Sequence, residues 1–214
     1  MANRSTSGFG LRMAMRLGNS PAIGGQSKYA IKSGLGVGIF KGNPASIQLA
    51  GDTGYIQDSA FSTTDDGNDG GIDFTTANDA LLVGVHNGVF YIDGTTSKPT
   101  FANSVAASTT FGTNPNTNST DGVAFVNDDP DQEYVVKADA AVGQAIFGLC
   151  GNINDFAAGD AKDGASTATF DSGTQGETKM FRIVRSAEDP DNEDLTAAGA
   201  NIIVVINAAA NTYR

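Results

Sequence analysis

The sequence predicts an all-β protein: a β-barrel or β-sandwich body of about ten short strands with an extended N-terminal arm. Three observations carry that expectation. Short segments of alternating or β-branched apolar residues recur along the chain. Turn dipeptides such as Asn87-Gly88, Asp93-Gly94 and Asp121-Gly122 separate them. No segment keeps a helical apolar period, and glycine, at 27 of 214 residues, is too frequent for long helices.

In chain order, residues 1–27 form the arm. Phe9, Leu11, Met13, Met15 and Leu17 stand at alternate positions, with Gly10, Arg12, Ala14 and Arg16 between them. An extended segment of this kind puts apolar side chains on one side and basic ones on the other, which suits a strand laid on a partner surface. Gly18-Asn19-Ser20-Pro21 and Gly24-Gly25 are turn or linker chemistry and set the boundary with the body near Gln26.

The body, 28–214, reads as strands between turns. Tyr29 and Ile31 alternate with Lys28, Ala30 and Lys32; residues 37–40 then lead through Lys41-Gly42-Asn43-Pro44 to 45–49. Further strands are expected over 81–85, 88–92, 122–126, 133–138, 166–170, 179–185 and 201–207, while 144–149 fits a strand or a helical turn. Residues 103–120 and 157–178 read as long polar connections. Ile202-Ile203-Val204-Val205-Ile206 is the most apolar stretch. Five β-branched residues in a row cannot alternate, so both faces need cover, as in a central strand or an oligomer contact.

The net charge of −11 is unevenly placed. Residues 1–51 hold six basic groups (Arg4, Arg12, Arg16, Lys28, Lys32, Lys41) and no acid, so the remainder carries 7 basic against 24 acidic groups, a balance of −17. A basic leading segment on an acidic body is expected to dock onto something, with the body kept soluble by self-repulsion. Nucleic acid is not expected as a partner, because the cations are sparse and the body repels phosphate. No apolar run reaches the roughly 18 residues of a membrane-spanning helix, and Arg4, Arg12 and Arg16 interrupt any secretory apolar core, so no membrane association or export is expected.

Little points to catalysis. A single Cys150 and a single His86 leave no disulfide framework, no cysteine-rich or histidine-rich metal site and no nucleophile with a natural base. Asp65-Asp66-Gly67-Asn68-Asp69-Gly70-Gly71-Ile72-Asp73 departs from a calcium loop, with Thr76 where the closing glutamate belongs, and reads as a solvated acidic loop. Asp128-Asp129-Pro130-Asp131 and Glu188-Asp189-Pro190-Asp191 share a word and read as structural turns. No cofactor and no enzymatic activity are expected; a paired-carboxylate glycan hydrolase would need two acids facing across a cleft.

The segments GFGLR, RLGNSPAIGGQSKYAI, GIFKGNPASIQLAG, GVHNGVFYIDGTTSKPTFANSV, VAFVNDDPDQEYVVKADAAV, FRIVRSAEDPDNEDL and ANIIVVIN resemble, in this order, small virion structural proteins of tailed bacteriophages. Some of those proteins are assigned as capsid cement or decoration proteins. The resemblance implies a homotrimer on the outer surface of the virion head, bound to the major capsid protein and stabilising capsomer contacts. Arg4, Phe9, Leu11, Arg12, Met13, Met15 and Arg16 would then form the docking face, by strand addition to the capsid or a sister subunit. A head-fibre or host-recognition module that binds carbohydrate through its polar loops is the alternative.

Overall fold

A computed structural model describes residues 3–22, 24–47, 54–58, 82–154, 159–177 and 179–211. Fifteen strands occur there: β1 Arg12–Arg16, β2 Ser20–Pro21, β3 Ser27–Ile31, β4 Ile39–Phe40, β5 Pro44–Ile47, β6 Ile56–Asp58, β7 Leu82–Ile92, β8 Pro99–Ala102, β9 Ser104–Val105, β10 Gly122–Asn127, β11 Gln132–Lys137, β12 Cys150–Asn154, β13 Thr169–Gln175, β14 Phe181–Ser186 and β15 Asn201–Ile206. The first sheet has the order β13-β12-β14-β15-β11-β1-β2. The second runs β3-β10-β7-β5-β6, with β8 also paired to β7, and β4 pairs β9 separately. All strand pairs among the described residues are antiparallel, and there the body is sandwich-like, with no closed barrel.

The apolar run Ile202–Ile206 lies in β15, paired on both edges by β11 and β14, and every residue of it is buried. Ile202, Val204 and Ile206 enter the first core cluster with Tyr134, Val136, Phe170, Phe181 and Ile183. Leu82 and Val85 of the second sheet join that cluster, so it fills the space between the sheets. Ile203 and Val205 take the opposite face, flanked across the ladder by Val135 and Arg185 and by Glu133 and Arg182 respectively. Arg185 reaches diagonally over β15 and donates two hydrogen bonds to the Glu133 carboxylate, at 2.7 and 2.6 Å. The stems of these long side chains cover the second face, and Ile203 and Val205 are only 5% and 6% exposed.

The second sheet curls around its own cluster of Ile31, Ile39, Ala45, Ile56, Val83, Val89, Val105, Phe111, Ala124 and Val126, with β4 and β9 contributing Ile39 and Val105. Here the expected hairpin at Asn87-Gly88 is corrected. β7 is one continuous strand of 11 residues, and the partner register steps from Phe125↔Gly88 to Val126↔His86, leaving Asn87 as the extra residue of a bulge. Both edges of β7 are already engaged, by β10 on one side and by β5 and β8 on the other, so bending the strand satisfies more backbone groups than reversing it. Gly84 is required by close packing, since a Cβ there would collide with the Asn127 backbone.

Other expectations are refined by the same ladder. The alternative of a helical turn at 144–149 is met by a 3-10 turn, Gln144–Ile146. The two long connections are not structureless: β9 forms within 103–120, and the strand expected over 166–170 is displaced to β13, Thr169–Gln175, paired with β12. Their Asn, Thr, Ser and Gly composition hides strands whose cover comes from neighbours rather than from alternation. The acidic loop around Asp65–Asp73 lies outside the described residues.

Replacing Arg185 by alanine strands the Glu133 carboxylate, which is 1% exposed, and is expected to lower unfolding stability by about 3 kcal/mol in urea titration. Glu133→Leu combined with Arg185→Met should recover most of the loss. A loss well under about 1 kcal/mol for Arg185→Ala would show that the pair does not support this face.

Candidate interaction surface

The arm adds a strand, as its alternation predicts, but to its own chain: β1 pairs with β11 through Arg12↔Val135, Met13↔Tyr134 and Arg16↔Gln132. The register shifts between Met13 and Arg16, so the two sit opposite Tyr134 and Gln132 on the same face. This bulge breaks the strict separation of apolar and basic sides read from the spacing. Leu11 is 3% exposed and belongs to the first core cluster; its N–H donates to the carbonyl of Gly42. Gly10 provides the left-handed bend before it, at φ 69°, where a Cβ would also meet Ser166.

The arm is clasped at two points by the two acidic turns. In each turn the first aspartate of the Asp-Pro-Asp word accepts from the N–H two residues on, Asp129 from Asp131 at 3.0 Å and Asp189 from Asp191 at 3.1 Å. The same aspartate's carbonyl accepts from the following residue, Gln132 or Asn192. The last carbonyl of the word then accepts from the arm: Asp131 from the Leu17 N–H at 2.9 Å, Asp191 from the Arg4 N–H at 3.0 Å. Each clasp also carries an arm arginine. Arg16 pairs with Asp129 at 2.6 Å and Asp131 at 3.8 Å, and Arg4 pairs with Asp191 at 2.9 Å. The basic segment thus finds its acidic complement within the chain at both points.

Between the clasps, Arg12 lies over the Phe9 ring at 4.3 Å, and the Lys137 ammonium approaches the same ring at 5.6 Å. Lys137 also donates to the carbonyls of Ser5 and Gly199; burial lowers its pKa, opposed by the Asp189 charge. A cleft of about 370 Å³ separates arm and body, lined by Phe9, Arg12, Met13, Lys41, Val85 and Asn127 among others. At its edge Asn127 donates to the Gly25 carbonyl and to the Met13 sulfur, and accepts from the Tyr134 hydroxyl at 2.9 Å. Burial pushes the Tyr134 phenol far up, which keeps it a donor.

What the arm leaves open is apolar. Met13, Met15 and Leu17 are 39%, 47% and 38% exposed, on or next to β1. β2 already pairs with β1 and contains Pro21, which has no N–H to offer an incoming strand. Composition could not separate the arginines used internally from the methionines left outside, because the D-P-D turns that capture Arg4 and Arg16 lie more than 100 residues away in sequence.

No group of three or more His, Cys, Asp or Glu suited to a metal ion occurs among the described residues. Cys150 is 2% exposed and burial raises its pKa, which suppresses the thiolate. His86 is 1% exposed on β7, with its Nε2 at 3.2 Å from the Gln57 carbonyl. That contact makes Nε2 the protonated nitrogen of a neutral ring. Among the described residues, no acid faces it in a catalytic arrangement.

No protein-family model, curated protein or solved structure matches the chain.

Burial lowers the His86 pKa to about 4, with the Gln57 carbonyl opposing. The unfolded chain, with an ordinary imidazole near 6.5, binds the proton first as pH falls, so stability is full above that value and declines on acidification towards about 4. Roughly 3 kcal/mol is expected to go over this window, seen as a falling urea midpoint. His86→Gln should flatten that part of the profile; an unchanged slope would exclude His86 as its source.

Proposed function

We propose that this chain is a capsid cement or decoration protein of a tailed bacteriophage. It would bind the major capsid protein on the outside of the head, as a homotrimer, and stabilise contacts between capsomers. The observation that carries this reading is the exposure of three apolar side chains, Met13, Met15 and Leu17, on or next to a strand held at its two clasps. A segment already ordered in this way offers flexible apolar side chains to a partner without first having to be fixed, which lowers the cost of association. The acidic body complements it by discouraging self-association away from a lattice. Many copies, each with modest contacts, would act additively on the shell. The resemblance to virion structural proteins supplies the identity of the partner.

Removing residues 1–27 is a poor test, because it also removes β1 and Leu11 from the first sheet and its core. The triple change Met13→Ser, Met15→Ser and Leu17→Ser is expected to leave the body folded and to cut occupancy on shells roughly tenfold or more. A virion reconstruction should place hundreds of copies at three-fold or quasi-three-fold positions on the outer head. About a dozen copies or fewer, at a neck or fibre, would overturn the cement reading in favour of host recognition.

A further inference from the structure

The second sheet turns one face, with its own core cluster, towards β4 and β9, and its opposite face is only partly covered. Leu82 and Val85, before the bulge at Asn87, pack against the first sheet. Beyond the bulge that cover ends, and Phe90, Phe101 and Phe125 come together on β7, β8 and β10. Phe90 and Phe101 are ladder partners with ring centroids 4.5 Å apart, and Phe101 and Phe125 lie 6.4 Å apart with planes within 21°. Phe101 is 74% exposed, the most exposed large apolar side chain among the described residues. Gly88, the ladder partner of Phe125, has no side chain and leaves a notch beside the rings.

The notch opens into a cleft of about 490 Å³, walled by Phe101, Phe125, Val89, Gln26, Asn87 and Asn103. Among the described residues no charged side chain lines it, in a chain of net charge −11. Three side-chain amides stand at its rim. Asn87 donates to Gln26 at 2.9 Å, and Asn103 donates to the Asp163 carbonyl at 3.0 Å. These two bonds orient the amides and use one donor of Asn87, one donor of Asn103 and one acceptor of Gln26. The Gln26 NH₂ and the Asn87 and Asn103 carbonyl oxygens keep no partner among the described residues, so the rim holds both a free donor and free acceptors.

We propose that this cleft binds a neutral saccharide, at a site that shares none of the exposed side chains Met13, Met15 and Leu17 assigned to capsid attachment. Aromatic faces carry negative quadrupole charge and attract the polarised C–H groups of a pyranose face. Hydroxyl groups around a sugar ring both donate and accept, which matches oriented amides. A nucleic acid or an anionic lipid would call for cations, and the described residues of the lining include none. A purely apolar partner would leave the free amide groups buried without partners, at a cost of about 1–3 kcal/mol each.

The experiment is saturation-transfer-difference NMR of the full chain with maltose, cellobiose and lactose, using N-acetylneuraminic acid as the charged control. At least one neutral disaccharide is expected to bind with a millimolar Kd, and the charged sugar not to. Phe101→Ala, at a side chain too exposed to hold the fold, should weaken that binding roughly tenfold, while Phe101→Tyr retains it. Absence of binding to all three disaccharides overturns the proposal, as does binding that Phe101→Ala leaves unchanged. Sedimentation of the wild type and Phe101→Ala at matched concentration adds a further decision: a self-association lost in the variant assigns the face to a second copy and overturns the saccharide site. The Met13, Met15, Leu17 triple variant should bind the disaccharide normally, so failure of the capsid reading and failure of this one remain distinct.

Discussion

Five consecutive β-branched residues, Ile202 to Ile206, impose the constraint from which the rest of the architecture follows. A strand apolar on both faces must be central in its sheet and covered twice. The inner cover is the second sheet, brought across by Leu82 and Val85. The outer cover is not a third layer but the stems of Arg182 and Arg185 with the buried Glu133 carboxylate, an ion pair whose partners lie on the two strands flanking β15. Because β11 has one edge on β15, its other edge is free to receive β1, and the arm becomes part of the sheet.

The arm in turn depends on chemistry placed far from it. Two copies of one turn, built on Asp129 and Asp189, present carbonyls and carboxylates to Leu17, Arg16 and Arg4. The connection between β10 and β11 crosses from one sheet to the other, and Asn127 at its start ties Tyr134, Gly25 and Met13 together. Exposed pairs such as Arg4 with Asp191 contribute little individually. Joined to backbone hydrogen bonds at each clasp, they hold the arm in one register, and the exposed methionines are displayed from a fixed strand.

The bulge at Asn87 has consequences on both sides of the second sheet. It lets β7 serve two partners along one edge, and it ends the region covered by the first sheet, so the aromatic face of Phe90, Phe101 and Phe125 stays open. The same residue supplies an amide to the cleft beside Gly88. A single extra residue therefore shapes the strand pairing and the chemistry of the surface next to it.

Sequence alone determined the all-β class, a strand over 201–207 that needs cover on both faces, the extended arm and the turn character of both D-P-D words, because these rest on local periodicity and on residues with strong backbone preferences. Tertiary structure decided the rest. Arg4 and Arg16 are spent on the chain's own acids, Leu11 is core, and Met13 and Met15 are exposed, although all were read as one docking face. Asn87-Gly88 carries turn residues yet forms a bulge, since the hydrogen bonds available on both edges of β7 outweigh the local preference. The strands at 99–102 and 150–154 were hidden for the same reason: their stability comes from neighbours distant in sequence, and short-range pattern does not encode which edge a strand will meet.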